Sequence, residues 1–465
     1  MKYENIKDVK LESINPADGS KLATYTALDS KELHSKITAS SLAWEKWKLK
    51  SFKYKEELLD EVSSHLIKNK EGLSELITKE MGKPLNQSVK EIEKCALLCR
   101  YYKEHGVHFL SPREEFLHYK KSYVYYAPMG ACLGIMPWNF PFWQIFRFAI
   151  PALFAGNAVF VKPSENVIGS TLALEKIFHE SGWPSSIFNV LLIKRSQVES
   201  VISHPFIKMV SFTGSTKTGQ HIASLCGYHL KKHVLELGGS DPYIVLKDAN
   251  IQKATKEIIS SRLNNSGQSC IATKRVIVEK SLYKDLIQNL MKELNFKNIF
   301  HPLYNPDVGP LAKKEFVEKL IKLRDKDVEK GAEILFEKKA KPEEHEKGFY
   351  FPITLMGHCR ADMECAKQEL FGPLLPVFQV EDESKALEMA NQTSFGLGAA
   401  IFTQNEHLAE RWARHHINSG SCYINGKLKS NPSLPFGGIN KSGYGRELSV
   451  EGIREFTNIK TIVIH

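Results

Sequence analysis

Residues 130–165 read "GACLGIMPWNFPFWQIFRFAIPALFAGNAVFVKPSE". Two short apolar runs, "GACLGIM" and "NAVFVK", bracket residues 142–155, a segment long enough for a helix. A strand, a crossover helix and a second strand follow from that spacing, because parallel strands need a connection of this length. Part of the same stretch, "FWQIFRFAIPALFAGNAVFV" (142–161), imitates a membrane span. Gln144, Arg147, Pro151, Gly156 and Asn157 interrupt it, so it reads as a buried helix, a turn and a strand.

The pattern continues outward. "SIFNVLLI", "IKMVSF" and "KKHVLEL" are further apolar runs, and residues 166–181 and 215–225 between them are long enough for helices. This alternation predicts an α/β fold with a Rossmann-type parallel sheet covered on both faces, an architecture that binds nucleotides. A second alternating region from about 240 to 435 holds "RVIVE", "LLPVFQV" and "GAAIFT". Upstream, residues 30–104 read as helices, with Leu58, Leu59, Val62, Leu66 and Ile67 at helical spacing. "FLHYKKSYVYYA" (116–127) alternates as a strand or hairpin outside the main core, and "FTNIKTIVIH" is a terminal strand that pairs with it or with another subunit.

The 465 residues exceed what one compact core organises, and 42% apolar with 25% charged residues is a globular composition. The eight cysteines follow no framework spacing and form no C-x-x-C pair, which argues against a metal site or disulfide scaffold and for reduced thiols. The N-terminal "MKYENIKDVKLESINP" lacks the apolar core of a signal peptide, so a cytoplasmic protein without membrane attachment is expected. The net charge of +10 comes from lysines interspersed with acids, as in "EKWKLKSFKYKEELLDEV", so it reads as a solvated surface that mildly favours anions rather than a nucleic-acid footprint.

Chemistry-bearing residues sit where strands end. "MPWNFP" (136–141) puts Asn139 after the first strand, and "FVKPSE" (160–165) puts Lys162 and Glu165 at the end of the next. "SFTGSTKTG" (211–219) places a Gly-Ser turn between strand and helix, and "LELGGSDP" (235–242) places Glu236 before two glycines. Ligands bind in such sheets where the strands' carboxyl ends emerge, so these residues can converge on one crevice. "GSTKTG" matches neither G-x-G-x-x-G nor a phosphate loop with Lys and Ser/Thr. It reads either as an ordinary turn with a serine cap or as helix amides suited to a pyrophosphate.

With "GQSC" (267–270), "QELFGP" (368–373) and "PFGGINKSGYGREL" (435–448) added, the ordered set resembles the aldehyde dehydrogenase superfamily over nearly the whole chain. The resemblance implies cofactor-binding segments at 1–109 and 128–236, a catalytic α/β domain at 237–435, and small β oligomerisation segments at 110–127 and 453–465. It implies NAD(P)-dependent oxidation of an aldehyde to an acid, and a homodimer or homotetramer.

In that resemblance Cys270 attacks the aldehyde carbon as thiolate, which needs a nearby cation, dipole or base. The Asn139 amide and the Cys270 N–H meet the oxyanion. Glu236 activates water to hydrolyse the thioester. Lys162 and Glu165 bind the adenosine ribose, the Gly214–Ser215 turn the pyrophosphate, and Glu369 the nicotinamide ribose, with Phe371 and Trp138 beside the cofactor. A carboxylate at Glu165 repels a 2′-phosphate, so NAD is expected in preference to NADP.

For the substrate, "EMGKPLNQSVKEIEKCALLCRYYKEHG" and "PWNFPFWQIFRF" are similar to succinate-semialdehyde dehydrogenases, in which an arginine at the helix position of Arg147 binds the substrate carboxylate. Arg147 equally suits an internal pair with a carboxylate of the fold. Many of those enzymes have a second arginine where this chain has Asn264, and Arg262, Lys427 or Lys429 are the candidates to replace it. Trp143, Phe146 and Phe436 at the expected tunnel fit the alternative of a broad aliphatic or aromatic aldehyde dehydrogenase. A catalytically silent structural relative is disfavoured by the intact Cys270, Asn139 and Glu236.

Overall fold

The computed structural model describes residues 9–345 and 347–465; the first eight residues of the polar N-terminal stretch lie outside it. Two mostly parallel sheets carry the architecture. The six-stranded one runs, edge to edge, Gly443–Tyr444, Lys232–Glu236, Ile207–Thr213, Ala131–Ile135, Ala158–Lys162, Phe188–Val190. The seven-stranded one runs Glu333–Lys338, Ile353–Gly357, Leu374–Val380, Arg275–Glu279, Pro242–Val245, Gly398–Phe402, Ser421–Ile424. Only Gly443–Tyr444 and Glu333–Lys338 run antiparallel to their neighbours. Ala158–Lys162 and Arg275–Glu279 are buried at every position, as strands covered on both faces must be.

Ala131–Ile135 lies between Ile207–Thr213 and Ala158–Lys162, both parallel to it. The chain leaves this strand in one direction and later returns on its other side, which makes the ends of Ala131–Ile135 and Ile207–Thr213 a topological switch point. Trp138 and Asn139 follow the first of these strands, and Gly214 and Ser215 the second. The sheet also gains Gly443–Tyr444, which pairs with Leu235 and Glu236 from beyond residue 435.

The segment expected to be helical forms Ser30–Trp47, Phe52–Lys68, Lys70–Met81 and Leu85–Leu110. Leu58, Leu59, Val62 and Leu66 are buried as their spacing requires, whereas Ile67 is exposed. The 142–161 stretch is the helix Trp143–Phe154, a turn and a strand, and every residue of that helix is buried. Among the described residues no helix is long and apolar enough to cross a membrane.

Two carboxylates from the N-terminal helices cap helices of the sheet region. Glu91 Oε1 accepts the N–H groups of Phe142 and Trp143 at 2.8 and 3.0 Å. Glu80 accepts those of Gly169 and Ser170 at 2.9 and 2.8 Å. Each satisfies orphan donors of a helix start and places negative charge at its positive end. Glu91 is also paired with the buried Lys83. The "MGKPLNQSVKEIEK" segment thus fixes where the helix carrying Trp143 and Arg147 begins.

A third sheet joins Asn458–Ile464, Lys121–Ala127 and Arg113–Glu114. The C-terminal strand pairs antiparallel with Lys121–Ala127 over its full length. The latter strand is shorter than the alternating 116–127 pattern, and Phe116 and Leu117 are exposed ahead of it.

Candidate active site

Cys270 is held by an irregular loop between the helix Ile251–Leu263 and the strand Arg275–Glu279. Asn265, Ser266 and Gly267 take successive left-handed conformations, with φ of 53°, 54° and 77°. Asparagine tolerates this region and glycine prefers it. A Cβ on Gly267 would also stand 2.3 Å from the Gly372 carbonyl oxygen. Buried hydrogen bonds hold the bend: Asn265 Nδ2 donates to the carbonyls of Asn139 and Gln268 at 2.7 and 3.0 Å. Arg262 donates to the carbonyls of Thr273, Gly267 and Leu370. Lys274 Nζ donates to Ser269 O at 2.8 Å and Cys270 O at 2.5 Å, with Glu369 3.8 Å away.

Two cavities meet at Cys270. One, of about 220 Å³, is lined by Trp138, Asn139, Gly214, Ser215, Glu236, Glu369 and Phe371. The other, of about 800 Å³, is lined by Trp143, Arg147, Asn264, Lys427, Lys429 and Phe436 among others. The thiol is therefore the point at which reactants entering from two sides can touch.

Around it lies a buried charge cluster. Arg147 Nε is 2.7 Å from Glu447 Oε2, and both side chains are almost wholly buried. The guanidinium also lies 4.4 Å from the Phe436 ring centre, and its Nη2 has no hydrogen-bond partner among the described residues. Glu236, at the end of its strand, is 3% exposed and its Oε1 is likewise unpartnered. Burial pushes this carboxyl well above the usual range; Arg147 and Arg446 oppose the shift and Glu447 adds to it. Gly437, with φ +156°, leaves room here, since its Cβ would lie 2.8 Å from Glu236 Oε1.

Burial pushes the Cys270 thiol up to about 12, against the pull of Arg147 and Lys274. Cys132 and Cys226, both buried in the core, are raised to the same level by burial. What sets Cys270 apart is its position on two cavities beside two cations, not its resting acidity.

On the smaller cavity's side, Glu369 Oε1 accepts the Gly239 N–H at 3.1 Å. Trp138 and Phe371 meet edge to face at 5.7 Å. Ser215 caps the helix Thr216–Tyr228, accepting the Thr218 N–H at 3.4 Å, so the capping reading of "GSTKTG" holds and the helix amides still open beside a cavity-lining turn. Asn139 Nδ2 donates to Gln268 O at 3.1 Å, which leaves its second amide proton for another acceptor. Lys162 and Glu165 do not line this cavity. They sit at the end of the adjacent strand, where burial lowers the Lys162 ammonium, with Arg195 and Lys313 near enough to lower it further and Glu165 opposing. These aromatic, carboxylate and helix-terminal groups, strung along neighbouring strand ends, fit a nicotinamide dinucleotide.

On the larger cavity's side, Trp143, Arg147 and Phe436 all contribute to the wall. Phe146 does not: it is fully buried against Phe178 and belongs to the core. Arg262 is no substitute cation for a missing arginine: it does not line this cavity, and both its Nη groups donate to backbone carbonyls. Lys427 and Lys429 line the cavity, with Lys427 bonded to Ser260. Reading the sequence missed Lys94, Lys274, Asn265 and Glu447. Glu447 lay in the quoted "PFGGINKSGYGREL", and its place beside a motif without a solvent-facing pattern was the available signal. Nothing local marked the other three.

Comparison with known proteins agrees with this arrangement. The profile of the aldehyde dehydrogenase family matches residues 3–462. A Synechocystis protein named probable succinate-semialdehyde dehydrogenase [NADP(+)] is 37% identical, covering 97% of this chain and 99% of that protein. An Escherichia coli protein named succinate semialdehyde dehydrogenase [NAD(P)+] is 35% identical, covering 97% of both chains. The structure of succinic semialdehyde dehydrogenase from Streptococcus pyogenes in complex with NADP+ superposes with a TM-score of 0.94 at 30% identity, covering 98% of this chain and 99% of that one.

Proposed function

From the premise that the chain belongs to the aldehyde dehydrogenase family, oxidising an aldehyde to its acid with a nicotinamide cofactor, we propose that its substrate is succinate semialdehyde or a similar short acidic aldehyde. One observation carries this choice. The cavity that leads to Cys270 is lined by seven Lys and Arg side chains and only three Asp and Glu. Such an imbalance within low-dielectric walls draws in an anionic substrate and repays its desolvation. The names of the relatives point the same way.

The chemistry then runs on this chain's own side chains. The Cys270 thiolate adds to the aldehyde carbon, and the Asn139 amide and the Cys270 N–H stabilise the oxyanion. The bound cofactor supplies the acceptor for the hydride leaving that carbon. Collapse of the adduct leaves a thioester on Cys270. Glu236, buried at the end of its strand with Oε1 unpartnered beside the Cys270 cavity, takes a proton from water as the water attacks the thioester. The acid departs and Cys270 is restored. Ser215 and the helix behind it would hold the pyrophosphate, Glu369 the nicotinamide ribose, and Lys162 with Glu165 the adenosine ribose.

The cofactor is NADP in preference to NAD, a revision of the expectation drawn from Glu165 alone. Arg195 and Lys313 near Lys162 offer countercharge to a 2′-phosphate, and the relatives named above carry NADP(+) or NAD(P)+ in their names. The cofactor, catalytic and oligomerisation segments stay as drawn from the resemblance, with Gly443–Tyr444 added to the cofactor sheet. Asn458–Ile464 is an edge strand with Ile459, Val463 and Ile464 exposed, which supports a homo-oligomer built on it. Its oligomeric state is read by light scattering, and a monomer would end that reading.

Steady-state rates over an aldehyde panel, each with NAD and NADP, test the substrate and the cofactor. Succinate semialdehyde should exceed butanal in kcat/KM by at least about tenfold, the worth of one charge-assisted contact. Equal values for the two aldehydes would remove the acidic-substrate reading, and a tenfold NAD preference would remove the NADP one.

A further inference from the structure

Lys94 is a cation that the cofactor chemistry does not use and that the fold does not neutralise. It lies on the helix Leu85–Leu110, partly buried, and lines the same cavity as Cys270, Arg147 and Asn264. Its ammonium sits 3.9 Å from the Trp143 ring centre and donates to Ser430 Oγ at 2.6 Å. Trp143 Nε1 donates to the same hydroxyl at 3.0 Å, so one serine fixes both side chains. No ion pair among the described residues involves Lys94. Of the carboxylates flanking it on its own helix, Glu91 is committed to Lys83 and to the N–H groups of Phe142 and Trp143, and Glu93 is paired with Lys70. Lys94 therefore keeps two N–H donors and a charge without an anion.

We propose that Lys94 is a specificity-determining residue that, together with Arg147, binds the carboxylate of the acidic aldehyde, supplying the second cation where Asn264 provides none. This rests on the acidic-aldehyde reading above. Lys94 suits the role better than Lys427, because Arg147 and Cys270 are both near enough to act on its charge, whereas the charges that act on Lys427 are Glu257, Lys429 and Lys90. Burial first, and Arg147 second, push its ammonium down to about 7, with Cys95, Glu91 and Cys270 opposing. A group held in that state gains its proton firmly only when an anion arrives, which is what selective recognition of a carboxylate requires. Placed against Trp143 and Ser430 rather than an acid, the ammonium has no competing partner to displace.

The test compares kcat/KM for succinate semialdehyde and butanal, each at saturating NADP, in the wild type, Lys94→Met and Lys94→Arg. Lys94→Met is expected to lower the ratio of the two values by at least about tenfold, chiefly through KM for the acid, as loss of a charged contact does. Lys94→Arg is expected to restore most of that ratio. Activity on butanal in the same preparations reports whether each variant is folded. A wild-type ratio near one would overturn both this assignment and the acidic-substrate reading. A high wild-type ratio that survives in Lys94→Met, whether both kcat/KM values hold or fall together, would overturn the Lys94 assignment alone.

Discussion

The two cavities that meet at Cys270 are built in opposite ways. The smaller is assembled largely from the turns that end neighbouring parallel strands and is closed by the helix Lys314–Glu329, with carboxylates Glu236 and Glu369, aromatic rings and one helix N-terminus on its wall. The larger is assembled from helices and loops distant in sequence, and its wall is rich in lysine and arginine. One side is laid out by the sheet and suits a ligand common to many sheets of this kind. The other is laid out by tertiary packing and suits one substrate class. Cofactor chemistry and substrate choice are thus separable in this molecule, with Cys270 shared between them.

The largest expected effect falls where the shared point is used. Glu236→Gln removes the proposed base for hydrolysis but leaves Cys270 and both cavities, so turnover should drop by about 10²–10⁴. A burst of reduced cofactor, one per active chain, should survive in rapid-mixing absorbance. Loss of the burst together with turnover would mean that Glu236 serves the first half-reaction as well, and the separation would fail.

Arg147 joins the two sides, and it breaks the comparison differently. Arg147→Met leaves Glu447 buried without its partner, which should cost about 3–5 kcal/mol in denaturant unfolding. Arg147→Met combined with Glu447→Leu should recover most of that loss while the KM for acidic aldehydes stays high. Recovery of KM along with stability would show Arg147 to be only a structural partner of Glu447.

Gly267→Ala is expected to act on the shared loop alone. A Cβ at φ +77° and 2.3 Å from Gly372 O should destabilise the chain by about 1–3 kcal/mol and slow the reaction of Cys270 with acidic and neutral aldehydes alike. A change confined to one aldehyde class would place the loop on one side only.

The mildest probe is pH. Because burial holds the Cys270 thiol up to about 12, the thiolate fraction of the free enzyme grows tenfold per pH unit throughout the working range. Inactivation by iodoacetamide should therefore keep climbing from pH 7 to 9. A plateau near the ordinary thiol range would show that Arg147 and Lys274 outweigh burial.

How much was legible follows the same division. Strand ends are local in sequence, so "MPWNFP", "FVKPSE", "SFTGSTKTG" and "LELGG" announced the cofactor side, and the helices and strands around them formed where their patterns required. Arg147 was visible as a charge in an apolar run, and its pair with Glu447 was one of the two readings that run allowed. Lys94 was not, because nothing local distinguishes it from Lys90 and Lys103 on the same helix, and only the fold sets it against Trp143 and Ser430. Asn265 and Lys274 were hidden for a related reason: their partners are backbone carbonyls, which have no sequence signature. The NAD expectation was drawn in the same local way, from Glu165 beside Lys162 in the sequence, while Arg195 and Lys313 come near Lys162 only in the fold.

The central claim is that an acidic aldehyde and the cofactor meet at Cys270 from separate sides, leaving an acyl group on that sulfur. Glu236→Gln incubated with succinate semialdehyde and NADP, quenched in acid and peptide-mapped by mass spectrometry, tests it directly. A succinyl adduct on Cys270, dependent on NADP and absent from the other seven cysteines, is the predicted result. No acyl adduct, or one on another cysteine, would contradict it.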